Sequence, residues 1–461
     1  MPAYRAGAGR GAGSAGAPAA RTDMRFSSPA RLLALAALLA ALPLAAMRGA
    51  PGAGAMAWLA PIELASGGGA KGPWRQNDSR YDYVDDGTAV FLPGGALAVA
   101  WVDQRRKEVL LQLRDADGRP RGDPVDVSRT PATFSWMPRL AAGGPDTPDT
   151  PDTPDTLYVL WQEIVFSGGS HGGDILFARS RDGGRSFSAP LNLSDSRGGD
   201  GKGRLSRDVW SNGSLDIAAG PDGSVLAAWT DYEGALWLAR SRDGGRGFLP
   251  ARRIAGTAAL PARGPALAAG PNGAVHLAWT VGEDADADIR IAASNDGGAT
   301  FGEPVRVGAA GARADAPRLA LDARGRLHLA YMESAGKEPA AIRYARADRA
   351  PTFGAARTLS GPGEDATAPQ LAVDGRGRVH LAWEPVTRSG LRHVVDAGAG
   401  FGPPALIPGS VDPGGRNGSQ QGILGSKLAV GADGAVAVVN SSLVPGQGSR
   451  VWLMRAVRPA K

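Results

Sequence analysis

Ser180-Arg181-Asp182-Gly183-Gly184-Arg185-Ser186-Phe187 is one of three copies of a Ser-x-Asp-x-Gly-x-x-Phe octapeptide. The other two copies begin at Ser241 and Ser294, and all three hold the same position inside a longer repeat. A period of this length indicates one supersecondary unit that is stacked several times around a shared core. The octapeptide therefore predicts a repeat architecture.

A second element of the repeat is an apolar strand that ends in an aromatic residue, as in Gly95–Trp101 and Gly273–Trp279. The last residues of its seven copies, which we call the anchor residues, are Trp101, Trp161, Trp229, Trp279, Tyr331, Trp383 and Asn440. Each unit reads as four short strands separated by turn signals, which is typical of a radial β architecture. The sequence therefore predicts an all-β, seven-bladed β-propeller with four-stranded antiparallel blades, and a six-bladed ring is the alternative.

The two ends of the repeat predict how the ring closes. The last unit stops after its third strand, Val451–Arg455, whereas Pro61–Leu64 has the pattern of a fourth strand without preceding partners. Pairing these two segments would complete the seventh blade and remove an open sheet edge. We therefore expect closure by an N-terminal strand.

The N-terminal residues are predicted not to belong to the propeller. Residues 1–23 are interpreted as a disordered or non-native extension, and residues 24–57 as a signal peptide with an apolar run at 32–47. Residues 1–57 contain six Arg and one Asp, so the net charge of +6 falls to +1 for residues 58–461. The propeller is therefore not expected to bind nucleic acid, and no stable membrane span is expected in the mature form.

The composition also excludes several kinds of site. There is no cysteine, which rules out disulfides and thiolate chemistry. His276, His328 and His380 occupy one strand position in three separate blades, too far apart to chelate one metal ion. We expect neither a metal nor a cofactor.

The octapeptide resembles the Asp-box, or bacterial neuraminidase repeat, of the sialidase-like β-propeller superfamily. The resemblance covers residues 58–461 and implies a glycan-directed propeller, with exo-acting sialidase as the family's best-known activity. It also implies that the octapeptide aspartates are structural and lie on the face away from the active site. The segment 80–86 lacks the Arg-Ile-Pro element of sialidases. The matching residues are Ser180, Asp182, Gly184, Phe187, Ser241, Asp243, Gly245, Phe248, Ser294, Asp296, Gly298 and Phe301.

Candidate catalytic residues follow the anchor of the third blade. Asp231, Tyr232 and Glu233 come directly after this strand, and paired carboxylates are what a glycosidase requires. A tyrosine beside a glutamate also resembles the nucleophile pair of sialidases. The alternative is ordinary polarity of a solvated loop.

Candidate ligand contacts lie at the same end of the propeller. Arg139 and Arg318 occupy equivalent positions on first strands, where a guanidinium could clamp a carboxylate in two-point contact. Gln370 and Lys427 at the same position in other blades favour a purely structural role instead. Further polar candidates at strand ends and loops are Asp103, Glu163, Glu333 and Asp208.

Together these patterns predict an exported, monomeric propeller, periplasmic or secreted, whose axial face recognises a glycan. Glycoside hydrolysis at that face is the enzymatic form of this hypothesis. The alternative is a non-catalytic scaffold with a protein ligand, because fold alone does not settle activity.

Overall fold

The computed structural model describes residues 56–73, 75, 78–143, 155–164, 174–194, 215–231, 234–282, 286–348, 351–386, 390–412 and 425–457. All of them lie in one compact unit, Ala53–Lys461. The predicted extension and signal peptide lie outside the described residues, except for Met56 and Ala57. The division into leader and propeller therefore stays a prediction.

Six blades are each formed by four strands that are consecutive in the chain and antiparallel to their neighbours. Blade 1 comprises β5 (Val84–Phe91), β6 (Leu97–Asp103), β7 (Glu108–Arg114) and β8 (Val125–Asp126). Blade 2 comprises β9 (Phe134–Gly143), β10 (Thr156–Ile164), β11 (Asp174–Ser180) and β12 (Leu191–Asn192). Blade 3 comprises β13 (Leu215–Ala219), β14 (Val225–Thr230), β15 (Leu236–Ser241) and β16 (Leu249–Ala255). Blade 4 comprises β17 (Ala262–Ala269), β18 (Val275–Val281), β19 (Asp288–Ser294) and β20 (Val305–Arg306). Blade 5 comprises β21 (Arg313–Leu321), β22 (Leu327–Ser334), β23 (Ala341–Ala347) and β24 (Arg357–Thr358). Blade 6 comprises β25 (Ala366–Val373), β26 (Val379–Pro385), β27 (Arg392–Asp396) and β28 (Ala405–Leu406).

The seventh blade joins the two ends of the chain. It contains β29 (Leu428–Val430), β30 (Val436–Val444) and β31 (Gly448–Val457), and β31 pairs with β1 (Ala57–Trp58) and β2 (Ile62–Gly67). The predicted seven blades and the predicted N-terminal closure are therefore confirmed, and the six-bladed alternative is wrong. Closure removes the exposed edge that β31 would otherwise present. A two-stranded ribbon of β3 (Ala70–Lys71) and β4 (Tyr81–Asp82) lies between β2 and blade 1 in the chain.

The second strand of each blade forms the core between blades because both of its faces are buried. In blade 3, Val225, Ala227 and Trp229 belong to a cluster with blade 2. Leu226 and Ala228, which point the other way, belong to a cluster with blade 4. Side chains alternate along a strand, so a strand covered on both faces needs an almost continuous apolar sequence. This requirement explains the repeated strand that ends in Ala-Trp.

The octapeptides form the turns between the third and fourth strands of blades 2, 3 and 4. In the first copy the Ser180 hydroxyl donates to Asp182 Oδ1 at 2.7 Å, which also accepts the Arg185 and Ser186 N–H groups at 2.9 Å. Burial alone would raise the pKa of Asp182, but the bonds from the Ser186 and Ser180 side chains and from the backbone lower it. The Asp182 carboxylate thus accepts hydrogen bonds from groups of its own turn and stabilises that turn. The glycine three residues before the phenylalanine has a positive φ, 94° at Gly184, which other residues rarely adopt.

Candidate functional site

The first strands of five blades contain the same β-bulge next to the axis. In blades 1, 2, 4, 5 and 6, two residues of the first strand lie opposite the single anchor residue of the second strand. The first bulged residue has a positive φ in every case: Asp86 (56°), Met137 (53°), Gly264 (58°), Ala316 (55°) and Ala368 (53°). A bulge bends its strand and changes the direction of the following side chain. The repeat therefore gives five blades the same change of side-chain direction at this register.

We call the ring of residues at this register the axial collar. Each of its members lies opposite the residue that precedes an anchor residue. The seven positions are Thr88, Arg139, Asp216, Ala266, Arg318, Gln370 and Lys427. The collar thus contains both predicted arginines, one aspartate and one lysine.

Charged collar groups from blades that are not neighbours interact with one another. Burial, together with the positive charge of Arg139, lowers the pKa of Arg318 to about 10. Asp216 opposes this shift, and it also stabilises the charged form of Arg139, whose pKa is lowered by burial. These residues belong to blades 2, 3 and 5, so their charges meet across the axis. The structure therefore brings Arg139 and Arg318 together at one place.

Hydrogen bonds to residues of the following blades, and to Gly425 just before β29, hold the collar in position. Arg318 donates from Nε to the Pro369 carbonyl at 3.2 Å and from Nη2 to the Gly425 carbonyl at 2.7 Å. Asp216 Oδ2 accepts the N–H of Leu267, in the following blade, at 2.8 Å. The collar groups consequently link the inner strands around the ring, and their orientation is fixed before any ligand arrives.

Lys427 explains why the seventh anchor is an asparagine. Its ammonium group donates to the Glu384 carboxylate and, at 3.1 Å, to Asn440 Oδ1. A buried ammonium group needs acceptors, and the indole N–H of a tryptophan would supply only another donor. Asn440 therefore replaces the aromatic anchor where the collar contains a lysine.

Asp86 places a second carboxyl group beside the collar. Its Oδ2 accepts the Met137 N–H at 2.9 Å, and its side chain is buried. Burial and the neighbouring charge of Asp85 raise the pKa of Asp86 well above its usual range, whereas the Met137 N–H, Arg139 and Lys427 lower it. This carboxyl group therefore has a higher pKa than a free aspartate, chiefly because of burial.

Asp85, Tyr83 and Lys71 lie behind Asp86. The Ser441 hydroxyl of blade 7 donates to Asp85 Oδ1 at 2.5 Å. Burial, together with the charges of Asp85 and Asp86, raises the pKa of Tyr83, and the ammonium of Lys71 lies 5.9 Å from the centre of its ring. Blade 1 therefore contains a buried cluster of two carboxyl groups and a phenol, with the ammonium of the exposed Lys71 beside it.

The carboxylates that follow the anchors lie in separate blades and bind groups near their own strand ends. Asp231 accepts the Ala235 N–H and the Trp237 indole N–H, both at 2.8 Å. Glu163 accepts the hydroxyls of Thr130 and Thr133 and the Trp161 indole N–H, and burial raises its pKa. Asp231 and Glu163 thus stabilise loops, and the structure does not bring them into one carboxylate pair.

Asp103 and Glu333 are held in the same way. Asp103 Oδ1 accepts the N–H groups of Arg105 and Arg106 at 3.0 and 3.1 Å. Glu333 Oε2 accepts the Ala309 N–H at 3.0 Å, and its Oε1 lies 3.2 Å from Arg343 Nε. The remaining candidates Tyr232, Glu233 and Asp208 lie outside the described residues.

Two site residues, Asp86 and Asp216, were missed by sequence reasoning. Asp216 interrupts the apolar strand Leu215–Ala219 at the register of Arg139 and Arg318. Aligning first strands as well as second strands would have found it. Asp86 is the first residue of a bulge, and the equivalent residues of the other bulged blades, Met137, Gly264, Ala316 and Ala368, share no residue type that would mark this position.

The three repeated histidines are buried within their own blades. His328 Nδ1 lies 2.7 Å from the Tyr344 hydroxyl, and His380 Nδ1 lies 3.2 Å from His393 Nε2. Within the described ranges, no group of three or more acidic or histidine side chains is placed to hold a metal ion. Over the same ranges, no helix has the length and hydrophobicity needed to cross a membrane.

Comparison with known proteins finds similarity in structure only. No protein-family model matches the chain, and no curated protein matches it in sequence. The solved structures that resemble it include an α-L-arabinanase from Penicillium chrysogenum complexed with arabinobiose, at 14% identity and a TM-score of 0.47 over 69% of this chain and 92% of that one. They also include a PL25 ulvan lyase (11%, TM-score 0.49, 80% and 93%) and a Hadza microbial sialidase (14%, TM-score 0.41, 66% and 63%).

Proposed function

We propose that this protein is an exported β-propeller that recognises an acidic glycan at the axial collar. The proposal is based on the meeting of Arg139 and Arg318, from blades 2 and 5, across one axis. Buried cations are costly unless they are paired, and perturbed pKa values are frequent at functional sites. A guanidinium also matches a carboxylate in two-point contact. An acid group entering along the axis would meet both arginines.

The charge balance of the collar supports an anionic ligand. Arg139, Arg318 and Lys427 are its cations, and Lys427 is already paired with Glu384. Asp216 is the single carboxylate among the seven collar positions, and burial raises its pKa. The collar positions thus carry more cationic than anionic side chains.

We expect Ala266→Asp to weaken the binding of acidic glycans about tenfold or more, because it adds a negative charge to the collar without removing any hydrogen bond. Ala266→Asn is the matched control, since it differs from the aspartate variant only in charge. Calorimetric titration with sialyllactose, an oligogalacturonate and neutral lactose measures the effect. Equal weakening by both variants, or a stronger affinity for lactose, would contradict recognition of the acid group. No binding of any sugar by the wild-type protein would favour the protein-binding scaffold.

Glycoside hydrolysis is a second candidate function, and Asp86 is the observation that favours it. A general acid must hold a proton at the working pH, and burial beside a second carboxyl group is a common way to achieve this. Asp86 has both features and lies beside Arg139 at the mouth of blade 1. In this proposal Asp86 protonates the leaving oxygen while the collar holds the acid group of the sugar.

We expect Asp86→Asn to reduce turnover of fluorogenic glycosides, sialosides included, about 100-fold or more. The double variant Asp231→Asn/Glu233→Gln tests the alternative site in blade 3. If only that double variant loses activity, the reaction belongs to blade 3 and the role of Asp86 is wrong. If the wild-type protein turns over no glycoside, the hydrolase hypothesis fails while glycan recognition still stands.

A further inference from the structure

Blades 5 and 6 share a motif that the axial site does not use. Residues 322–328 and 374–380 both read Asp-x-Arg-Gly-Arg-x-His, where x is Ala or Gly and then Leu or Val. In each blade the motif forms the hairpin turn between the first and second strands. The corresponding turns of blades 3, 4 and 7 contain Asp-Gly or Asn-Gly and no arginine pair. Two arginines are thus added to the same turn in two neighbouring blades.

The aspartate of the motif fixes the inner arginine and leaves the outer one exposed. Asp322 Oδ1 accepts the N–H groups of Arg324 and Arg326 at 2.9 Å, and Arg326 Nε donates to Asp322 Oδ2 at 2.6 Å. In blade 6, Arg378 Nε donates to Asp374 Oδ2 at 2.5 Å. Across the residues that the structure describes, the exposed side chain of Arg324 forms no ion pair, nor does that of its counterpart Arg376.

These turns lie on the octapeptide face, opposite the mouth of the axial collar. In blades 3 and 4 the octapeptide covers the hairpin turn, since Gly244 N–H donates to the Gly223 carbonyl and Gly297 N–H to the Gly273 carbonyl. Blades 5 and 6 lack the octapeptide sequence. Among the residues that the structure describes, the space beside their turns is open to a ligand.

That space consists of two clefts that join into one groove, which we call the arginine groove. One cleft has a volume of about 470 Å³ and the other about 810 Å³. Both are lined by Tyr344, Arg346 and Asp396, so they lie side by side. The six arginines of the groove are Arg324, Arg326, Arg346, Arg357, Arg376 and Arg378.

The acidic residues of the groove do not cancel this charge. Asp322 binds Arg326, and Asp396 accepts the N–H groups of Gly398 and Gly400 at 2.7 and 2.9 Å. Asp348 pairs with Arg346 at 3.2 Å on the surface. Arg357 also lies over the Phe401 ring, 5.7 Å from its centre. The groove thus combines a surplus of guanidinium groups with aromatic surface.

We propose that the arginine groove binds an anionic polysaccharide chain, independently of the axial collar. Guanidinium groups bind carboxylate and sulfate in two-point contact, which a lysine cannot reproduce. Arginines distributed along two joined clefts suit a ligand with several anionic groups better than a single small anion. The rings of Tyr344 and Phe353 line the larger cleft and add apolar surface for sugar rings.

The test measures binding of polysaccharides to the double variant Arg324→Glu/Arg376→Glu by affinity electrophoresis and calorimetry. The probes are dextran sulfate, polygalacturonate and neutral dextran, which separate sulfate from carboxylate recognition. The matched control is Arg185→Glu/Arg242→Glu, which reverses two exposed arginines on the same face in blades 2 and 3. We expect the groove variant to bind its preferred anionic probe about tenfold or more weakly, and the control to bind it like the wild-type protein.

Any of the following three outcomes would overturn the proposal. Equal weakening by the control variant would indicate a diffuse charge effect, and equal affinity for neutral dextran would exclude recognition of anions. A single-stranded oligonucleotide that binds the groove more tightly than every polysaccharide would indicate a nucleic-acid site instead. Ala266→Asp should leave binding to the groove unchanged, so failure of the axial proposal and failure of this one are distinguishable.

Discussion

Asp315→Asn is expected to lower the free energy of unfolding by about 3–5 kcal/mol, because it leaves a buried guanidinium without its counter-charge. Arg263 of blade 4 donates to both carboxylate oxygens of Asp315 of blade 5, at 3.0 and 2.7 Å. Their side chains are only 3% and 1% exposed. Thr280 and Arg313 donate to the same carboxylate at 3.0 and 2.9 Å. One aspartate thus joins two blades.

The loss should come from the unpaired charge and not from the absence of an attractive contact. Replacing both members of a buried ion pair by apolar residues of similar volume is often close to neutral. We therefore expect Arg263→Met/Asp315→Leu to recover most of the stability that Asp315→Asn loses. If the double variant is as unstable as the sum of its single variants, the pair is not the source of the effect.

An exposed ion pair provides the control. Asp117 and Arg119 lie 2.8 Å apart, but their side chains are 69% and 76% exposed. Exposed pairs contribute about 0–1 kcal/mol, so Asp117→Ala should hardly change the midpoint of urea unfolding. Urea unfolding of the wild-type protein, of these three variants and of the single variants Arg263→Met and Asp315→Leu at pH 7 measures the comparison. A loss below about 1 kcal/mol for Asp315→Asn would contradict the prediction.

The sequence predicts the fold of this protein better than its site, because the fold depends on a pattern repeated seven times. Every blade needs a second strand that is apolar on both faces, and Gly95–Trp101 shows this without reference to any other blade. The closing strand was predicted from an unpaired segment near Pro61, and β2 does pair with β31. A requirement that recurs in every unit can be recognised even when single copies diverge.

The site depends on residues that break the repeat, and such residues carry no pattern of their own. Arg139 and Arg318 share a register and were therefore found. Asp216 at the same register was not found, because a lone aspartate in a short strand resembles ordinary polarity. Asp231 binds groups of its own loop, and no sequence pattern shows the hydrogen bonds that hold it there. The electrostatic interaction across the axis involves blades 2 and 5, which are far apart in the chain.

The stability of the closed ring is expected to fall with acidification between about pH 6.5 and 3 through His393. Burial and the nearby His380 lower the pKa of His393 to about 3, whereas an unfolded histidine titrates near 6.5. Between these two pH values His393 is therefore neutral in the folded protein and protonated in the unfolded chain. This contribution is fully present above pH 6.5 and decreases by about 1.4 kcal/mol for each pH unit below it. The total loss by about pH 3 is therefore about 5 kcal/mol.

His393→Gln isolates this effect. In the wild-type protein His393 Nε2 lies 3.2 Å from His380 Nδ1, and a glutamine amide keeps a polar group there that does not titrate. The rings of Trp58 and His393 pack edge to face, with 5.8 Å between their centres. Protonation of His393 would therefore place a charge against the N-terminal closing segment. Urea unfolding from pH 7.5 to 4 should show the wild-type protein losing stability faster than the variant below pH 6.5. Carboxylates titrate in both proteins alike, so only the difference between the two curves reports on His393. Parallel curves, or an NMR titration that places the pKa of His393 near 6.5, would contradict the buried neutral histidine.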